Sequence, residues 1–383
     1  MFDFEARDSQ GKTAALRRLT DLVAVGAEKQ KQVIQQALKR TIVDKLVDPE
    51  NMVLVSHADH IRMRYGDAEK TVAITDHALG QMCGVTHVPK TYVNKLLSEC
   101  VGMPQDVRLE LLTHIFNRHF YRGIYLDKKG QKTKFLHRLM DNRLYGFLSR
   151  NYNRKLGTAA MMRPFLEQCA IHRAQPVEAE SDALKTSLKC VLPVVFEPVD
   201  GQFVAFGATY TNSDFGSGSL LVRGVVLRIQ AGTSVVLENK LRKIHLGAMI
   251  TDAEIELSEE TMLRESQTHM SAVRDMVNAI FNKDAIKNTL EVVRIAASHK
   301  LDWARLINRS KEVLNESERE LLGQMLGMTK SGIVDLPPVT LNDAGDPEAN
   351  KWWAAAAVGS IATGVKDLTR KLSIQELAGD LLK

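Results

Sequence analysis

The chain has 383 residues, 44% of them hydrophobic and 25% charged, enough for two domains of ordinary size that fold without disulfides or metals. Its four cysteines, Cys83, Cys100, Cys169 and Cys190, form no CxxC pair, which argues against a zinc site and for a reducing compartment. The first residues lack a basic-then-apolar leader, and no window has the apolar length of a bilayer span, so a cytoplasmic protein without membrane attachment is expected (the host cytoplasm, if the protein is phage-encoded).

Residues 11–47 carry apolar side chains at mostly helical spacing and predict one or two helices in an N-terminal segment, 1–50. Residues 52–55 and 72–74 read as short strands separated by a hydrophilic stretch containing His57, His60, Arg62 and Arg64. A helix capped by Thr75 or Asp76 follows, then another from Pro89 to Leu97 and a longer one from Pro104 to Tyr121. Residues 134–150 predict a β-hairpin turning at Asp141-Asn142, and 158–172 a helix. From 183 to 247, β-formers punctuated by Gly, Asn and Asp predict antiparallel strands. A helical region, 256–329, a linker, 330–350, and a helical tail, 351–383, complete the chain. The expectation is an α+β fold: a mostly antiparallel sheet with packed helices in a core spanning 51–255, followed by a helical C-terminal region. The apolar tail beginning at Trp352-Trp353 reads as a packing element.

The formal charge of +5 conceals a strong asymmetry. Residues 1–107 are balanced and residues 164–383 are net negative, whereas residues 108–163 contain 13 Lys or Arg against Glu110, Asp127 and Asp141. Eight of the chain's 22 aromatic residues lie in the same segment. Cations that follow phosphates and rings on which bases stack are what single-stranded nucleic acid requires. Lys128, Lys129, Lys132, Lys134, Arg138, Arg143, Arg150, Arg154 and Lys155 are therefore candidate backbone contacts, with Tyr145 and Tyr152 as stacking rings. A solvated surface, or docking of an acidic protein, is the competing explanation of the same charges.

Other constellations carry less. His57, Asp59 and His60 lack a metal-binding frame, and the five-residue spacing of His114 and His119 puts them on different helix faces. Asn212, Ser213 and Asp214 with Gly216 and Gly218 form a polar turn of the kind that positive φ angles demand. No nucleophile elbow or paired-carboxylate frame stands out, so no catalytic residue, cofactor or metal is assigned and a non-enzymatic role is favoured.

Four pieces, in order, resemble a phage- and plasmid-borne family described as domain of unknown function 932. They are Leu79 to Val85 with flanking Thr75-Asp76 and Val88 to Tyr92, then Tyr145 to Tyr152, Gly207 to Gly216, and Arg228 with His245-Leu246-Gly247. The chain departs from that pattern at Asp214, where Glu is usual, and at Gln230-Ala231-Gly232, where a cysteine-containing turn is usual. The resemblance implies a mobile-element context. With the basic centre it suggests similarity to phage single-strand annealing proteins, and hence an oligomeric single-stranded DNA-binding or annealing protein in recombination or replication. A phage structural or host-interaction protein, or an enzyme acting on nucleic acid, are the alternatives.

Overall fold

The computed structural model describes residues 4–7, 9–58, 60–67, 69–98, 102–122, 134–237, 258–326 and 350–382. The fold is α+β, as expected, but its strands form two curled sheets, each with its own core.

The chain opens with α1 (Gln10–Lys39), capped by the Ser9 hydroxyl, which accepts from the Lys12 amide at 3.1 Å. The helical pattern expected to continue to residue 47 stops there, and β1 (Val43–Val47) takes up the remainder. Next come β2 (Met52–His57), β3 (His60–Tyr65), β4 (Thr71–Ile74), α2 (Asp76–Thr86), α3 (Lys90–Leu97), α4 (Gln105–Arg122), β5 (Phe135–Met140) and β6 (Arg143–Ser149). Asp141 and Asn142, with φ of 51° and 57°, make the two-residue turn of the β5–β6 hairpin, the left-handed pair that matches strand twist. These strands form the first sheet in the order β1-β5-β6-β4-β3-β2, antiparallel except where β4 runs parallel to β6.

Alternation decides the faces of this sheet. Met52, Leu54, Ile61, Met63, Val72 and Leu144 point to one side, where Leu79 and Met82 of α2 and Leu112 and Phe116 of α4 bury them. Asn117 of α4 bonds both the amide (2.7 Å) and the carbonyl (2.8 Å) of Leu54, which satisfies the edge of β2. The sheet curls enough to bring Lys45 of β1 within 4.9 Å of the Tyr65 ring on β3, although three strands separate them.

The second half contains α5 (Thr158–Ile171), β7 (Gln175–Ser181), β8 (Lys185–Val191), β9 (Phe196–Val199), β10 (Gln202–Ser213), β11 (Leu221–Arg228) and β12 (Thr233–Val236). It continues with α6 (Glu259–Ile280), α7 (Lys283–Ser298), α8 (Trp303–Val313), α9 (Glu316–Met325), α10 (Lys351–Thr363) and α11 (Leu368–Asp380). Its sheet runs β12-β11-β10-β8-β7, with β9 also paired to β10. Both faces are covered. Phe203 and Ala205 pack toward Ala15 and Leu19 of α1, while Val204, Phe206, Ala208 and Tyr210 join the core shared with α5, α6, α7 and α10. Burial on both faces explains why β10 reads as a near-continuous apolar run. The C-terminal helices pack on this sheet as a tail of that composition should. Lys371 of α11 reaches Glu178 (2.7 Å) and Glu180 of β7, and Glu178 also meets Lys189 of β8 at 2.7 Å.

Candidate nucleic-acid interface

The two sheets meet at the turn after β10. The buried Asp214 carboxylate accepts from Arg40 Nη1 at 3.1 Å and from the Thr158 amide at 2.7 Å, so it pairs with the end of α1 and caps α5 at once. Its carbonyl accepts from Arg138 of β5. The Phe215 carbonyl accepts from Gln81 Nε2 at 2.9 Å and lies 3.0 Å from His77 Nε2, while Gln81 Oε1 accepts from the Phe147 amide at 2.7 Å. Gly216, at φ 73°, lies so close to Leu148 that a Cβ there would approach its Cδ2 to 2.6 Å. Leu79 to Val85, Tyr145 to Tyr152 and Gly207 to Gly216 thus converge on one structural joint.

That joint claims two of the expected nucleic-acid contacts. Arg138 is only 5% exposed, its Nε bonded to Asp44 at 2.9 Å, and Tyr152 is 8% exposed with its hydroxyl 3.3 Å from the Ser213 carbonyl. Burial, offset in part by the Arg138 charge, pushes the Tyr152 phenol up to about 12. Neither side chain is placed to touch a ligand in solution, and both are assigned to the joint. Lys134 is half-exposed and lies 3.7 Å from Asp48. Arg150 is half-buried, and Arg154 and Lys155 sit on a short turn that Asn153 fastens to α6 through the Met262 carbonyl at 3.2 Å. Lys128, Lys129 and Lys132 lie outside the described residues.

Arg143 and Tyr145 have a different setting. They lie on the outer face of the first sheet, opposite the helices, because Leu144 between them points into the core. Pairing across the strands places Val55, Arg62, Ala73 and Arg143 in one row and Val53, Arg64 and Thr71 in the next. Arg62 and Arg143 flank Ala73, so their backbones are about 10 Å apart. Apart from the exposed Arg143, these residues are half-exposed, as is Tyr145, whose ring leans on the buried Phe215 at 5.1 Å between centroids.

Several arginines elsewhere pair with carboxylates: Arg40 meets Asp214, Arg138 meets Asp44, Arg223 meets Glu376 and Arg370 meets Glu318. Arg62 instead donates to the Thr71 hydroxyl (2.7 Å) and carbonyl (3.1 Å), while among the described residues the buried Nε of Arg64 has no hydrogen-bond partner and Arg143 makes no ion pair. Three uncompensated guanidinium groups and a tyrosine ring therefore share one sheet surface. Guanidinium forks match phosphate oxygens, and an exposed ring offers a face to a base. The signal for Arg62 and Arg64 lay in the alternation of Ile61 and Met63 with them, which marks a strand inside a stretch that polarity alone presents as a loop.

His57 and His60 face each other across the β2–β3 turn with ring centroids 5.4 Å apart, and no group of three or more potential metal ligands occurs among the described residues. His114 of α4 is exposed and His119 half-exposed. No helix among the described residues is long and apolar enough to cross a membrane. Comparison with known protein families, curated proteins and solved structures returns no match.

Proposed function

We propose that this protein binds single-stranded nucleic acid, DNA in preference, across the outer face of its first sheet. The observation that carries this reading is the set of three arginines without carboxylate partners among the described residues, Arg62 and Arg64 on β3 and Arg143 on β6, beside the half-exposed Tyr145. Phosphates supply the opposite charge these cations lack, and release of counterions from the nucleic acid drives association. The surface is a sheet rather than a helix, so it suits a splayed strand better than the major groove of a duplex. Strand annealing by a homo-oligomer in recombination or replication is the role we infer for such a surface.

Fluorescence anisotropy with a short labelled oligothymidylate tests the binding claim. Affinity should fall steeply between about 50 and 200 mM salt, and the R62A/R64A/R143A variant should bind weakly with a log–log salt slope smaller by about 2, at roughly 0.7 per lost phosphate contact. Unchanged affinity and slope in that variant would remove this surface from nucleic-acid binding. Absence of salt-dependent binding by the native protein would reject the function itself and favour an acidic protein partner.

A further inference from the structure

A second unpaired arginine lies far along the chain from this sheet face. Residues from β9, β10, β11, α7, α9 and α10 line a cleft of about 1250 Å³. Arg228, the last residue of β11, lies on its wall and is half-buried. Its guanidinium stands 6.0 Å from the Trp352 ring centroid, and its nearest polar partner is Gln202 Oε1 at 3.5 Å. Its Nε is buried with no hydrogen-bond partner, as is Trp352 Nε1. Asp200 lines the same cleft but is exposed and makes no ion pair with Arg228, while Arg294 is occupied by Glu291. Burial lowers the Arg228 pKa, with no carboxylate among the described residues beside it to oppose the shift.

A guanidinium withdrawn from water without an anion is costly, and the usual remedy is a carboxylate or phosphate that accepts two of its donors side by side. Trp353, which lines the same cleft, is 54% exposed, a large indole left open beside its neighbour in sequence Trp352. Indole surfaces of this kind accept flat rings by stacking. The cleft volume is ample for a molecule that carries both an anionic group and a ring.

We propose that the cleft binds a small organic anion, with a phosphate or carboxylate group on Arg228 and a flat ring on Trp353. Nucleoside monophosphates and aromatic carboxylates both present this chemistry. Titration calorimetry with AMP, benzoate and adenosine separates them: whichever anion binds more tightly identifies the source, and adenosine should bind at least tenfold more weakly than AMP if the phosphate is the handle. Arg228→Gln should weaken the preferred anion by roughly tenfold or more, the scale of a lost charge-assisted hydrogen bond. Trp353→Ala, at an exposed position that folding tolerates, should weaken it several-fold, whereas R62A/R64A/R143A should bind it as the native protein does. Absence of saturable binding of both anions at millimolar concentration, adenosine binding as tightly as AMP and benzoate, or undiminished binding by folded Arg228→Gln would each overturn the proposal.

Discussion

Acidification should weaken the first sheet through one buried histidine. His137 of β5 has no exposed surface, lies 2.9 Å through Nδ1 from the Tyr65 hydroxyl, and packs against Phe147 with ring centroids 5.0 Å apart. No carboxylate compensates it, and Nε2 has no partner. Burial, reinforced by the nearby Lys45 ammonium, lowers its pKa from 6.5 to about 3. In the unfolded chain the imidazole takes a proton near pH 6.5, whereas in the fold it resists until about 3, so the unfolded state binds more protons throughout that interval. Its contribution is therefore complete above pH 6.5 and is lost as pH falls toward 3. At about 1.4 kcal/mol per pH unit, the interval from 6.5 to 4.5 removes about 2–3 kcal/mol. Urea unfolding of the native protein and of His137→Gln, which retains a partner for Tyr65, measures this across that interval. The native protein should lose about 2–3 kcal/mol more than the variant; parallel losses would refute a neutral buried imidazole as the cause.

Three further outcomes follow from the packing. Asp214→Ala should lower stability by about 3–5 kcal/mol in urea, because it takes the carboxylate from the Arg40 charge and the acceptor from the Thr158 amide in a buried joint; a loss below about 1 kcal/mol would contradict that role. Gly26→Ala gains up to about 1 kcal/mol of helix propensity, yet it should lower the melting temperature, since its Cβ would sit 2.5 Å from the Pro176 carbonyl oxygen where α1 lies on β7. A higher melting temperature would show that α1 can lift away freely. For Glu178, burial pushes the carboxyl up, but Lys189 and Lys371 outweigh it and hold the group at about 2, below its unfolded value of 4.5. Its stabilisation is present above pH 4.5 and lost as pH falls toward 2, so native and Glu178→Gln stability curves should converge over that range, and persistent separation at pH 2 would contradict the assignment.

Local chemistry made much of the fold readable. The Asp141-Asn142 turn, the Thr75 cap of α2 and the apolar run of β10 each specify their element within a few residues. The boundary between α1 and β1 was not readable, because Ile42, Leu46 and their neighbours fit either periodicity and only pairing with β5 makes β1 a strand. The division of strands between two sheets depends on the same kind of long-range pairing. At the candidate site, summing charge along the chain located Arg143 and Tyr145 but also selected Arg138 and Tyr152. What separates them is burial against the turn after β10 and, for Arg138, the presence of Asp44, more than ninety residues distant from it in sequence. Arg62 and Arg64 lay outside the basic segment and joined the site through β3–β4–β6 pairing.

Photocrosslinking to an oligonucleotide carrying 5-iodouracil, followed by peptide mapping, probes the proposed surface directly. The sheet-face account predicts a crosslink at Tyr145, weakened by R62A/R64A/R143A and by high salt. Crosslinks confined to the turn holding Arg154 and Lys155, or none on β3, β4 and β6, would contradict it.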